Sequence, residues 1–186
     1  MRIIAGALKG RRLRAPTWLG LRPTSDKLRE TLFNILAPRI EGARVLDGFA
    51  GTGAVGLEAL SRGAAHVTFV EQHRRAAALI AENLAVCDVR EGYTIDCGDF
   101  GAVLRRFGRE RTFDVIVLDP PYDLDGSGEA VAIAAAHLAD EGVLVLERAT
   151  RREPDVPPQL ERYRDVKSGD STLTFFRAPT SGTERH

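Results

Sequence analysis

Asp47-Gly48-Phe49-Ala50-Gly51-Thr52-Gly53-Ala54-Val55-Gly56 is the stretch whose reading decides the fold. It follows a short apolar run, Val45-Leu46, and leads into a helix-forming segment, Ala54 to Arg62. Gly51, Gly53 and Gly56 match the GxGxxG turn between a strand and a helix. The first glycine makes the turn tight, the second lets the backbone approach a ligand, and the third lets the helix sit close to the sheet. Glu71 stands twenty residues past Gly51, at the end of the next β-like run, His66 to Val70. An acid there holds ribose hydroxyls. Read alone, the pattern is that of a dinucleotide site.

Asp47 argues against a dinucleotide. It lies at the mouth of the first strand, facing the ligand crevice. A pyrophosphate at that turn would be repelled by a carboxylate. S-adenosylmethionine (SAM) carries no phosphate, and its ammonium and sulfonium are both attracted by one. A chain of 186 residues also leaves little room for a separate dehydrogenase substrate domain. A turn that binds nothing would account for a lone GxG better than for one flanked by Asp47 and Glu71.

Outward from the turn, strands and helices alternate. Strands are expected at Val45-Leu46, His66 to Val70, Tyr93 to Asp96, Phe113 to Leu118 and Val143 to Leu146. Helices are expected at Ala54 to Arg62, Arg74 to Val86, Phe100 to Phe107 and Ala130 to Leu138. That alternation predicts a parallel sheet wound on both sides. Phe113 to Leu118 reads as a strand covered on both faces. Glu161 to Val166 and Thr172 to Arg177 then flank Lys167-Ser168-Gly169-Asp170, which predicts an antiparallel edge hairpin.

In front, Arg2 to Arg14 has two β-like runs around Gly6 and Gly10 and reads as a hairpin. A helix follows Leu21-Arg22-Pro23-Thr24. Thr24 or Ser25 can cap it, Leu28, Leu32, Ile35 and Leu36 form its apolar stripe, and Pro38 marks its end. The expected fold is therefore α/β: a Rossmann-like, doubly wound, mostly parallel sheet with an antiparallel C-terminal edge hairpin, preceded by a small basic β-hairpin and helix. Residues 1–40 are expected to be a basic extension, 41–179 the catalytic domain, and 180–186 a tail without fixed structure. Glu153 to Pro158 is expected to be mobile.

Net charge is zero, but its distribution is uneven. Residues 1–44 carry +7 and the remainder −7. A basic end on an acidic body suggests an anionic partner at that end, with a solvated basic surface as the plain alternative. Lys9, Arg11, Arg12 and Arg14 are candidate phosphate contacts on the hairpin, and Arg22 and Arg29 flank the route to the crevice. Cys87 and Cys97 are too few for a structural zinc site and form no CxxC pair. No apolar run is long enough to span a bilayer, and no apolar segment of signal-peptide type follows Met1-Arg2-Ile3-Ile4-Ala5-Gly6. A cytoplasmic protein is expected.

Two further acids border the crevice. Asp99-Phe100 follows the third strand. Asp99 can accept a hydrogen bond from an adenine amino group and Phe100 can lie against the ring; a helix-capping aspartate and a core phenylalanine are the alternative. Asp119-Pro120-Pro121-Tyr122 ends the fourth strand. The prolines remove backbone donors and fix the chain direction, so the Pro120 carbonyl can face the crevice beside the Asp119 carboxylate. The exocyclic amine of a nucleobase is a poor nucleophile because its lone pair is delocalised into the ring. Two acceptors gripping its hydrogens would free that lone pair and stabilise the positive charge that grows on nitrogen. Tyr122 supplies a ring on which a flipped base can stack. This chemistry needs no metal and no covalent enzyme intermediate. A proline-rich turn with a capping aspartate is the plain alternative.

Asp119 to Tyr122 with this glycine turn resembles the amino-group methyltransferases of the class I SAM-dependent fold. More closely, the chain resembles the RsmD family, bacterial methyltransferases acting on the guanine N2 of small-subunit ribosomal RNA. The matching stretches are Arg2-Ile3-Ile4-Ala5-Gly6, Leu21-Arg22-Pro23-Thr24, Arg29-Glu30-Thr31-Leu32-Phe33-Asn34, Asp47 through Gly63, and Asp119 to Tyr122. Gly48 and Thr52 stand where other residues are common in the family, and Ala149 to Pro158 matches poorly.

The resemblance implies methylation of one guanine of 16S rRNA, in a small ribosomal subunit or its assembly intermediate. It implies SAM as cofactor, S-adenosylhomocysteine as product, and no metal. A monomer is expected. The candidate cofactor residues are Asp47, Phe49, Ala50, Gly51, Thr52, Gly53, Glu71, Gln72, Asp99 and Phe100. The candidate catalytic residues are Asp119, Pro120, Pro121 and Tyr122. Within enzymes the rival is a DNA adenine-N6 methyltransferase, although the chain has only the hairpin and one helix for target recognition. A SAM-sensing RNA-binding or ribosome-assembly module is the rival from another class, and Asp119-Pro120-Pro121-Tyr122 argues against it. A nicotinamide-dependent dehydrogenase comes last.

Overall fold

Phe113-Asp114-Val115-Ile116-Val117-Leu118 forms β4, and Val115 to Leu118 are all buried. Alternate residues face opposite sides, so a strand covered on both faces must be apolar throughout. Val115 and Val117 join one core cluster, Ile116 and Leu118 the other.

The computed structural model describes residues 1–16, 25–121 and 127–179. In chain order the elements are α1 (Asp26–Ile40), β1 (Arg44–Gly48), α2 (Ala54–Ser61), β2 (His66–Glu71), α3 (Arg74–Val86), β3 (Tyr93–Cys97), α4 (Phe100–Arg106), β4 (Phe113–Leu118), α5 (Ser127–Ala135), β5 (Leu138–Ala149), β6 (Glu161–Ser168) and β7 (Ser171–Arg177). The strands form one sheet in the order β3-β2-β1-β4-β5-β7-β6. β1 to β5 run parallel, and β7 is antiparallel to both β5 and β6. The chain winds outward from β1 to β3, then returns to place β4 on the other side of β1. That reversal opens a crevice at the carboxyl ends of β1 and β4.

One face of the sheet packs Val45, Val67, Phe69 and Val145 with Leu32 and Leu36 of α1 and Ile80 and Leu84 of α3. The other packs Leu46, Val70, Leu144 and Leu146 with Val103 and Leu104 of α4 and Val131 and Ala134 of α5. α2 lies hard on β2 because Gly56 has no side chain: a Cβ there would come within 2.2 Å of Phe69 Cε1.

Three expectations at element ends change. Pro38 lies inside α1, which continues to Ile40. Ile40 is buried, and its packing holds the last turn despite the missing proline N–H. α5 ends at Ala135, and Leu138 already belongs to β5, paired with Phe113. β5 outruns the expected Val143 to Leu146 because β7 pairs along its outer edge from Leu144 to Ala149. Ser25 caps α1, its Oγ accepting the Leu28 N–H at 3.1 Å. Thr24 and residues 180–186 lie outside the described residues.

The N-terminal hairpin closes through a single bridge, Arg2 to Arg12, with Ile3 N–H donating to the Arg11 carbonyl at 2.9 Å. Ile3 and Leu13 are buried in the same core cluster as α1, α2 and α3, so the hairpin and α1 share their core with the sheet. Among the described residues no helix is long and apolar enough to cross a membrane.

Candidate active site

The glycine turn stands on β1. Phe49, Gly51 and Gly53 all have positive φ, at 60°, 57° and 76°. Left-handed backbone favours glycine, so Gly51 and Gly53 answer a geometric need. The turn is pinned to its neighbours: Ala50 N–H donates to the Val70 carbonyl at 3.0 Å, and Gly51 N–H to Glu71 Oε2 at 2.9 Å. Glu71 Oε1 accepts the His73 N–H at 2.8 Å.

Gly53 is the N-cap of α2 and brings no side chain to cap it. Asp47 does that work from β1, its Oδ2 accepting the Gly56 N–H at 2.9 Å. Asp47 and Glu71 are both buried, at 3% and 5% exposure, on the ends of neighbouring strands. Burial pushes the Asp47 carboxyl up to about 8; the Gly56 N–H pulls it down, and the nearby Glu71 charge adds to the rise. A buried carboxyl held near neutrality in this way is one that a cation would ionise.

Asp99 and Phe100 take the positions of their plain alternatives. Asp99 caps α4, its Oδ1 accepting the Ala102 N–H at 2.9 Å. Phe100 is buried and stacks on Phe49, with ring centroids 4.8 Å apart. Ala50 and Thr52 are buried, whereas Gln72 is exposed beside His73.

Beyond β4, the Asp119 N–H donates to the Gly48 carbonyl at 3.4 Å, tying the ends of β4 and β1 together. Asp119 is half-buried, Pro120 buried and Pro121 exposed; Tyr122 lies outside the described residues. Asp47, Glu71, Asp99 and Asp119 thus stand at the carboxyl ends of four strands adjacent in the sheet, β1, β2, β3 and β4.

The basic residues divide. Lys9 and Arg12 are exposed. Arg11 Nη1 donates to the Val86 carbonyl at 3.2 Å, and Arg14 pairs with Glu82 at 2.8 Å with both side chains largely exposed. Arg29 requires a correction: it is fully buried. Its guanidinium meets Asp26 at 2.9 Å and Glu58 at 3.7 Å and donates to the Arg2 carbonyl. It is an internal counter-ion, out of reach of a phosphate backbone. Arg22 lies outside the described residues.

Two buried polar residues went unread in the sequence. Glu58 accepts the Ile4 and Ala5 N–H groups at 2.8 and 3.0 Å and Arg62 Nε at 2.8 Å, holding the hairpin to α2. Asn83 bonds both Arg14 and Thr52. Each left a signal: Glu58 interrupts the apolar helix Ala54-Val55-Gly56-Leu57-Glu58-Ala59-Leu60, and Asn83 sits in the buried stripe of Leu79, Ile80 and Leu84.

This mostly parallel sheet, with its antiparallel edge and a glycine turn between acids at the point of strand reversal, is the fold of the class I SAM-dependent methyltransferases. A family model described as conserved hypothetical protein 95 matches residues 1–177. Ribosomal RNA small subunit methyltransferase D of Escherichia coli (strain K12) is 34% identical over 185 residues, covering 98% of this chain and 92% of that protein. The protein of the same name from Haemophilus influenzae is 40% identical over 180 residues, covering 95% and 92%. The solved structure of the yhhF protein of Escherichia coli superposes with a TM-score of 0.84 at 34% identity, covering 96% of this chain and 97% of that one. The chain belongs to the RsmD family.

Proposed function

We propose that this chain transfers the methyl group of SAM to the exocyclic N2 amine of one guanine in 16S rRNA. The observation that carries the proposal is the bond between Asp119 N–H and the Gly48 carbonyl. It joins the strand end bearing the amine-gripping acid to the strand end bearing the glycine turn. Bound SAM would supply an electrophilic methyl group.

Asp47 would accept the cofactor's ammonium, Glu71 its ribose hydroxyls, and Gly51 and Gly53 would let the backbone come close, with Phe49, Ala50, Thr52 and Gln72 lining the turn. The ammonium of SAM suits a buried carboxyl that has no cation paired with it among the described residues. Asp99 and Phe100 would border the adenine. Asp119 and the Pro120 carbonyl would accept the two amine hydrogens, orient the nitrogen lone pair and stabilise its growing charge. Tyr122 would hold the flipped base by stacking, with Pro121 fixing the chain before it.

Lys9, Arg11, Arg12 and Arg14 would bind phosphates. The choice of small-subunit rRNA rests on the names of the relatives that match nearly the whole chain. A small ribosomal subunit or its assembly intermediate is the proposed partner, and a monomer acting in the cytoplasm the proposed state. Incubation with methyl-labelled SAM and isolated small subunits tests this reading. Label should enter 16S rRNA with the parent chain and not with Asp119→Ala; transfer to duplex DNA alone would overturn it.

A further inference from the structure

Asn83 takes no part in the chemistry above. It lies on α3, fully buried, and its amide is engaged at both ends. Oδ1 accepts the Arg14 N–H at 2.7 Å, and Nδ2 donates to the Arg14 carbonyl at 3.2 Å and to the Thr52 carbonyl at 3.0 Å. The paired bonds to one residue's N–H and C=O imitate a rung of a β-ladder, with a side chain standing in for a strand. The remaining bond ends on the glycine turn, one residue before Gly53. Only one orientation of the amide achieves all three, because the reverse would set its NH2 against the Arg14 N–H.

The turn runs through positive φ at Phe49, Gly51 and Gly53 and is closed from within by the Gly53 N–H, which donates to the Ala50 carbonyl at 2.8 Å. Its shape also depends on bonds to its surroundings. Two of them, from Ala50 and Gly51, go to β2; the one at Thr52 goes through Asn83 to the basic arm. A second contact runs the same way: Thr52 Oγ1 lies 3.8 Å from Met1 Sδ. A ligand that orders the turn therefore acts on the backbone at Arg14, and one that orders the arm acts on the turn.

We propose that Asn83 is a positioning residue that couples the cofactor turn to the basic arm, so that cofactor and RNA each strengthen binding of the other. This rests on the reading of the turn as the SAM site and the arm as an RNA contact. Whichever ligand binds first orders both segments, and the second need not meet that cost again. The effect must be equal in both directions.

The test titrates S-adenosylhomocysteine into the full chain by calorimetry, with and without saturating protein-free 16S rRNA. In parallel it follows hydrogen exchange of the Arg14 amide. The parent chain should bind S-adenosylhomocysteine about fivefold or more tightly with RNA present, and the ligand should slow Arg14 exchange. In Asn83→Ala the RNA effect should fall to about one, and exchange at Arg14 should no longer respond. Should Asn83→Ala fail to fold, Arg14→Pro removes the N–H that Oδ1 accepts together with the guanidinium, whose separate loss Arg14→Ala measures, and should likewise abolish the coupling. Arg14→Ala keeps that N–H and should keep the coupling while weakening RNA binding. A folded Asn83→Ala with the full RNA effect would overturn the proposal, as would a parent chain that binds both ligands independently. A parent chain that binds neither would overturn the functional reading and the proposal with it.

Discussion

Asp47 Oδ2 accepts the Gly56 N–H at 2.9 Å, so a carboxyl on β1 caps a helix whose own N-cap, Gly53, has no side chain. The same carboxyl is buried, with Glu71 as its acidic neighbour. It serves the fold as a hydrogen-bond acceptor while standing where a cationic ligand would find it.

A pH dependence follows from that arrangement. Burial raises Asp47 from an ordinary 3.8 to about 8, so the native state holds a proton that the unfolded chain has lost. Stability of the ligand-free protein from this group is therefore greatest below about 4 and declines as pH rises toward about 8. Cofactor binding should reverse the preference, because an ammonium favours the ionised carboxyl. Calorimetry with S-adenosylhomocysteine at pH 7, in buffers of different ionisation heat, should register release of up to about one proton, and affinity should rise toward pH 8. Asp47→Asn should bind more weakly and release no proton through this group. Identical proton release in the parent and the variant would contradict the assignment.

Asp119 is assigned to the transition state and not to cofactor affinity. Asp119→Ala should lower single-turnover methyl transfer by about two to three orders of magnitude. Its affinity for S-adenosylhomocysteine should stay near that of the parent. A parallel loss of both would place Asp119 in the cofactor site instead.

Glu58 and Arg29 form a buried ion pair, 3.7 Å apart, and Glu58 also accepts two backbone N–H groups of the hairpin. Removing the acid leaves an internal cation without it. Glu58→Ala should cost about 3–5 kcal/mol in urea unfolding. A loss below about 1 kcal/mol would mean that the pair behaves as a surface ion pair.

The arm's exposed cations should act through phosphate. Replacing Lys9, Arg11, Arg12 and Arg14 together by Ala should weaken RNA binding, and the log–log salt slope should shrink by about 0.7–0.9 for each phosphate no longer neutralised. Arg29 is buried and should contribute nothing to that slope. RNA titrations at two salt concentrations measure both. Unchanged affinity and slope in the fourfold variant would make the arm a solvated face.

Much of the fold was legible because the sheet is covered on both sides. Val115 to Leu118, covered on both faces, is apolar on every residue, and Arg74 to Val86 carries a clear helical stripe, so β4 and α3 fall where the sequence puts them. The end of α5 was less legible: nothing in Ala136-His137-Leu138 announces that Leu138 pairs with Phe113 across the sheet. In the site, Asp47 and Glu71 were marked by their distance from the glycines. Arg29 was misread because a basic residue near a basic segment looks like surface. Its partner Glu58 is 29 residues away, and only the packing of α1 on α2 brings them together. Asn83 escaped notice for the same reason, since its bonds to Arg14 and Thr52 span 69 and 31 residues.

The most direct measurement digests the methylated product to nucleosides. Small ribosomal subunits lacking the modification are incubated with the full chain and methyl-labelled SAM, beside protein-free 16S rRNA and duplex DNA. The account predicts label in N2-methylguanosine from 16S rRNA, at a single position, and none in DNA. Label in N6-methyladenine, in DNA, or in no nucleic acid at all would contradict it.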